Sequence, residues 1–194
     1  MYSMVASPDT LQLVKQAQVG NTEAFTALVQ SYEPEIYRYL VGMLGDRDEA
    51  HDFVQQVFLK ARLNLATLQS VTCFRTWLYT IARKLIFDHW RRRKGYCQSW
   101  EHLEVDNLSM RIPGPEEQAM KMELIHLALG ELAPKLRQCL LLRLESGFSP
   151  REIAEMVGIG ESSVGTYIST ARKQFCAIYE RLENEQWIEV RVDS

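Results

Sequence analysis

Apolar side chains recur every three or four positions through most of this chain, the spacing that gathers them on one face of an α-helix. Two blocks hold that period, from about Thr10 to Lys94 and from about Glu116 to Glu183. Start and stop signals divide the first block into four predicted helices. One covers about Thr10 to Val19 and stops at Gly20. A second runs from Thr22 to Leu44, with Pro34 as a break or kink, and stops at Gly45. Asp46 is placed to cap a third over Asp48 to Asn64, with Ala50, Val54, Val57 and Ala61 as its core stripe and Phe53 and Phe58 beside it. A fourth turns Phe74, Leu78, Ile81, Leu85 and His89 inward. Between the blocks, residues 95–115 show no period, carry two prolines and several acids, and read as a flexible linker. Only the tail from Trp187 to Val192 alternates apolar and polar residues, and no second strand is there to pair with it. The pattern predicts an all-α protein without internal repeats. It has one helical domain at 10–94, a linker at 95–115, a second helical domain at 116–184 and a tail at 185–194.

The sharpest local signal is SPREIAEMVGIGESSVGTYISTARK, from Ser149 to Lys173. Ser149 as N-cap and Pro150 at the first helical position open a short helix with Ile153, Ala154 and Val157 on one face. Gly158 frees the backbone for a sharp turn, and Ile159 plugs the angle between the helices. A second helix follows, with Val164, Ile168 and Ala171 inward. Its outer positions hold Ser162, Ser163, Thr166, Tyr167 and Thr170, ending at Arg172 and Lys173. This is the layout of a helix-turn-helix. Short hydroxyls near the start of its second helix can reach base edges, while Arg151, Arg172 and Lys173 can hold phosphates.

Charge refines that picture. The formal net charge is −3, which argues against a general nucleic-acid coat and confines any DNA contact to local basic patches. One such patch closes the fourth helix, where six basic residues between Arg83 and Lys94 face one acid, Asp88. Thr76, Tyr79, Arg83, Phe87, Trp90 and Lys94 fall three or four apart and so share an expected outer stripe. Aromatic rings interleaved with cations suit single-stranded nucleic acid, whose unstacked bases pack on rings at ~1–3 kcal/mol each. On the third helix, Asp48, Asp52, Gln55, Leu59 and Arg62 make a second stripe off the core, an expected protein-docking face.

No apolar run approaches the roughly 20 residues of a membrane span, and the N-terminus lacks the basic-then-apolar layout of a signal peptide. A cytoplasmic protein without membrane insertion is expected. Cys73, Cys97, Cys139 and Cys176 are scattered without a CxxC pair, as reduced thiols would be. No GxxxxGK[ST], GxSxG or HExxH occurs, so neither an enzyme, a small-molecule substrate nor a cofactor is expected. His89, Cys97 and His102 fit no standard zinc module, and no metal is expected.

Three ordered motifs resemble the extracytoplasmic-function (ECF) sigma factors of bacterial RNA polymerase. DEAHDFVQQVF, from Asp48 to Phe58, is similar to the family's core-polymerase-binding motif. FRTWLYTIARKLIFDHWRR, from Phe74 to Arg92, is similar to its promoter-melting helix. The segment from Leu132 to Phe175 resembles its −35-binding domain. The resemblance implies that Asp48, Asp52, Gln55, Gln56, Phe58 and Leu59 dock on core polymerase. The Leu65 to Cys73 segment, with Leu68 and Thr72, would capture a flipped base of the −10 strand. Phe74, Trp77, Tyr79, Arg83, Lys84, Phe87, Trp90, Arg91 and Arg92 would follow the melted strand. Arg151, Ser162, Ser163, Thr166, Tyr167, Thr170, Arg172 and Lys173 would meet the −35 duplex. The family also implies an anti-sigma factor as partner. This chain departs from the family at Lys84, where Asn is usual, at Gln56, where Glu is usual, and at Gly165, Tyr167 and Thr170, where cations are usual. The rival reading is a two-domain helix-turn-helix regulator that is not a polymerase subunit. Its N-terminal half should then hold a ligand pocket or a dimer face.

Overall fold

The structure is a computed structural model. It describes residues 8–93 and 116–192, with side-chain environments for 9–92 and 120–185. The segment expected as a linker therefore lies outside the described residues. Eight α-helices occur among the described residues, and no strand. They are α1 (Pro8–Gln18), α2 (Thr22–Leu44), α3 (Arg47–Asn64), α4 (Phe74–Arg93), α5 (Glu116–Glu131), α6 (Pro134–Leu144), α7 (Pro150–Val157) and α8 (Glu161–Val192). Two single 3-10 turns, Leu65–Thr67 and Val71–Cys73, join α3 to α4.

The helix ends follow from short-range chemistry. Asn21 accepts the Ala24 amide at 3.0 Å and Asp46 accepts that of Glu49 at 2.9 Å, caps that stabilise a helix by about 1 kcal/mol each. Gly45, at φ 79°, ends α2 in the left-handed conformation that only glycine adopts freely. Pro34 does not break α2, which runs through it without interruption. The proline is exposed, and so is Gln30, whose carbonyl loses its donor, so water can take the missing bond. The alternating tail, which the sequence left without a strand to pair with, is helical. From Trp187 to Val192 the chain extends α8 rather than forming a strand, because a strand without a neighbour leaves its backbone groups unbonded and a continuing helix satisfies them.

Helix α2 is the axis of the molecule. Its residues Leu28, Ile36, Tyr39, Leu40 and Met43 are at most 1 % exposed, and α1, α3, α4, α5 and α6 all pack on it. One continuous apolar cluster runs from Val14 through Leu78 and Ile86 of α4 to Leu140, Ile153, Val164 and Ala171. The two predicted helical halves therefore share a core where α2 and α4 meet α5, α6 and α7.

Candidate nucleic-acid and protein-docking surfaces

The third-helix stripe emerges as a solvent face. Asp48, Asp52, Gln55, Gln56 and Leu59 are all exposed, while Ala50, Val54, Val57 and Ala61 turn into the core. Phe58 departs from the expected docking set, because its ring is buried among the core residues and can only support the face from beneath. A residue missed by the sequence reading extends the face: Leu63 is 74 % exposed, one turn beyond Leu59 at 61 %. The signal was present in the spacing of four between the two leucines. Two large apolar side chains left in water beside carboxylates and amides form the kind of patch that a protein partner covers.

The loop after α3 is tied down from α1. Gln18 Nε2 donates to the carbonyls of Leu65 at 3.2 Å and Leu68 at 2.8 Å. Leu68 is consequently buried, whereas Thr72 and Cys73 stay exposed, with Thr72 Oγ1 2.7 Å from Ser70 Oγ. The loop thus offers hydroxyls to solvent on a fixed apolar base.

Helix α4 corrects the expected outer stripe. Tyr79 and Phe87 are buried, not exposed, and Phe74 is buried against Tyr32 with ring centroids 5.4 Å apart. Arg83 is half-buried with its guanidinium 4.8 Å from the Phe87 ring, and Trp90 packs edge-on to Phe87 at 5.2 Å. The physical reason is that α4 is covered on two sides, by α2 and α3 and by the C-terminal half through α7. Its open face is instead Trp77, Ile81, Lys84, Asp88 and Arg91, at successive steps of three or four, with Thr80 and Arg92 beside them. Trp77 and Ile81 are half-buried there, and Lys84, Arg91 and Arg92 are exposed. Arg91 reaches Asp88 at 3.2 Å, and Arg92 Nε donates to the Asp88 carbonyl at 3.3 Å. Of His89, Cys97 and His102, which fit no standard zinc module, His89 faces Glu49 at 2.9 Å, while Cys97 and His102 lie outside the described residues.

The helix-turn-helix forms as its sequence signals predict. Ser149 and Glu152 make a reciprocal capping box, with the Ser149 amide donating to Glu152 Oε2 at 2.8 Å. Gly158, at φ 73°, turns the chain, and the Ile159 amide returns to the Ala154 carbonyl at 3.1 Å. Val164 and Ala171 are fully buried. Ser162, Thr166, Arg172 and Lys173 are exposed, and Ser163, Tyr167 and Thr170 are half-buried. Arg151 is exposed and sits 3.4 Å from Glu155. The exposed face of α8 is short, polar and cationic at its far end.

A polar cluster that the sequence reading did not foresee lies between the halves. Arg75 Nε donates to Glu35 Oε1 at 2.7 Å and its Nη2 to the Ser146 carbonyl at 2.5 Å. The Tyr79 hydroxyl is 2.7 Å from Glu35 Oε1 and 2.8 Å from Ser146 Oγ. With one proton, it donates to the carboxylate and accepts from the serine. Burial, followed by the Glu35 charge, drives the Tyr79 pKa up, so the phenol stays neutral. Phe148 closes the cluster, edge-on to Tyr79 at 4.9 Å and 4.2 Å from the Arg75 guanidinium carbon. Arg137, which also bridges the halves through Met43, is 1 % exposed and has no carboxylate partner among the described residues. It donates to the carbonyls of Met43 at 2.7 Å, Leu132 at 3.2 Å and Gly130, capping the C-terminal ends of both α2 and α5. Burial brings its pKa down to about 10, still charged at neutral pH.

Comparisons with known proteins bear on both halves. The family described as Sigma-70 region 2 matches residues 28–96, and that described as Sigma-70, region 4 matches residues 122–175. The chain is 31% identical over 170 residues to the ECF RNA polymerase sigma factor SigW of Bacillus subtilis, covering 82% of this chain and 91% of that protein. It is 29% identical over 160 residues to the ECF RNA polymerase sigma factor BldN of Streptomyces coelicolor, covering 80% of this chain but only 60% of that longer protein. In fold it is similar to the sigma factor RpoE of Bartonella quintana, solved in complex with the anti-sigma factor NepR. The TM-score is 0.68 at 20% identity, covering 82% of this chain and 98% of that one.

Proposed function

We propose that this chain, which belongs to the extracytoplasmic-function branch of the sigma-70 family, directs core RNA polymerase to its promoters and opens them. The observation that carries the proposal is the order of three surfaces within the two matched regions. An exposed acid-amide-leucine face on α3 comes first, then a cationic helix end on α4, then a polar recognition face on α8. Asp48, Asp52, Gln55, Gln56 and Leu59 dock on polymerase, with Leu63 extending the patch. Trp77, Lys84, Arg91 and Arg92 follow the melted −10 strand, where cations pair with phosphates and the indole stacks on a base. Thr72 and its loop receive an extruded base. Extrusion costs about a few kcal/mol of stacking, which contacts from this loop and the cationic helix offset. The helix-turn-helix holds the −35 duplex through Arg151, Arg172 and Lys173 on phosphates and through Ser162, Ser163, Thr166, Tyr167 and Thr170 near base edges.

The protein acts by binding, in the cytoplasm, and turns over no substrate of its own. Its similarity to a factor solved with an anti-sigma partner supports control by a protein of that class. The test is assembly. The purified chain should co-elute with sigma-free core polymerase, and the Asp52→Ala/Gln55→Ala variant should lose most of that binding while keeping its helical spectrum. Undiminished binding by that variant would refute the docking assignment. Absence of binding by the wild type would favour the rival regulator.

A further inference from the structure

We propose that Gln18 of α1 is a positioning residue for base selection: its side-chain amide holds the Leu65–Cys73 loop in the shape that receives an extruded base. This rests on the reading of that loop given above. The segment is poorly equipped to hold itself. Its backbone bonds close single turns, from the Leu68 amide to the Leu65 carbonyl at 3.1 Å, from the Cys73 amide to the Ser70 carbonyl at 3.0 Å, and from the Phe74 amide to Val71. Leu65 and Leu68 are buried and Val71 is half-buried against the core, while Thr67, Gln69, Ser70 and Thr72 are exposed. Apolar anchors hold the inner edge of such a loop, but burial is non-directional and does not set the angle at which the hydroxyls are presented.

Gln18 supplies the missing direction. Its Nε2 donates to the Leu65 carbonyl at 3.2 Å and the Leu68 carbonyl at 2.8 Å, so both amide protons are used on the two ends of the first turn. These partners lie 47 and 50 residues further along the chain. Gln18 is the last residue of α1, a helix anchored by the fully buried Val14, packed on α2 and touching both 3-10 turns. Just beyond it, Gly20 turns the chain at φ 94° and its amide returns to the Ala17 carbonyl at 3.1 Å, which fixes the helix end. A recognition loop braced by a rigid neighbour keeps its productive geometry, and a displacement on the order of 1 Å costs selectivity. The two carbonyls are only part-buried, so without Gln18 water can reach them, and the loop loosens locally while the domain stays folded. Helix α1 ends before residue 28, where the match to Sigma-70 region 2 begins, so the brace comes from outside the matched region.

The test compares wild type with Gln18→Met, which keeps the length and bulk without donors, and Gln18→Lys, whose ammonium restores donors. Each full chain is assembled with core polymerase. The probes are single strands spanning the −10 element of a promoter that the wild-type holoenzyme opens, with each base in turn replaced by an abasic site. In wild type one position should stand out, its loss weakening binding roughly tenfold. Gln18→Met should cut that penalty to about twofold and leave the penalties elsewhere, the polymerase affinity and the helical spectrum unchanged. A general loss of stability would instead weaken every probe alike. Gln18→Lys should restore the penalty. In the free chain, the amides of Leu65–Cys73 should exchange with deuterium about tenfold faster in Gln18→Met than in wild type. A wild-type penalty kept by Gln18→Met, loop exchange no faster than in wild type, or no recovery in Gln18→Lys would each overturn the proposal. A wild type that opens no promoter, or whose penalties are even along the strand, would instead overturn the reading of the loop as a base receiver and the selectivity role with it. The exchange rates would still establish or refute the brace.

Discussion

Leu59 and Leu63 test the docking face most sharply, because water covers 61 % and 74 % of them in the free chain. Replacing Leu59 by Ala removes three carbons. At ~0.8 kcal/mol per buried methylene, and with about three-fifths of the side chain still to be buried on docking, the loss is about 1.5 kcal/mol, roughly tenfold in Kd. Leu63→Ala loses a similar amount, so the double variant should weaken binding more than about a hundredfold if the contributions add. Neither leucine supports the core, and Ala is the best helix former, so folding stability should move by less than about 0.5 kcal/mol. The assay is titration of fluorescent core polymerase with each variant, with thermal melting as the control. A double variant that melts like wild type and binds within about twofold of it would refute the assignment of this face to polymerase.

Arg91→Ala/Arg92→Ala should leave polymerase binding intact but flatten the salt dependence of single-strand binding by about 0.7 in slope per lost phosphate. Permanganate reactivity of melted thymines should fall most at high salt, and no change across the salt range would show that helix end to be merely solvated. Arg137→Ala removes the donors to Met43, Gly130 and Leu132. At about 1–3 kcal/mol for a buried carbonyl left unbonded, Tm should fall by roughly 10 °C, and a shift below about 2 °C would contradict the capping role. His126 has its pKa lowered from 6.5 by burial and then by the Arg47 charge. The folded chain holds this imidazole neutral while the unfolded chain takes up a proton, so its contribution is full above pH 6.5 and is lost as pH falls below it. Thermal melts from pH 7.5 to 5.5 should show a decline that His126→Gln makes shallower; equal slopes would rule His126 out.

Much of this was legible along the chain because it is decided locally. Gly45, Asp46, Ser149 and Gly158 each set a helix end with groups a few residues apart, and the structure uses all of them. The exposed stripe from Asp48 to Leu59 was equally readable, since α3 has one covered face and periodicity reports it directly. Helix α4 was not. Periodicity assigns a single buried side, and α4 has two, so Tyr79 and Phe87 passed as surface aromatics. The cover over Tyr79 comes from Ser146 and Phe148, nearly seventy residues away, with nothing in either segment to announce the pairing. Arg137 was hidden for a similar reason, because its partners are backbone carbonyls, which carry no sequence signal.

The measurement that tests the account most directly is transcription from genomic DNA fragments by core polymerase with and without the purified chain. With it, new transcripts should start downstream of a shared pair of elements near −10 and −35, and the Asp52→Ala/Gln55→Ala variant should produce few of them. Core polymerase that initiates at the same places and to the same extent whether or not the chain is present would contradict the account.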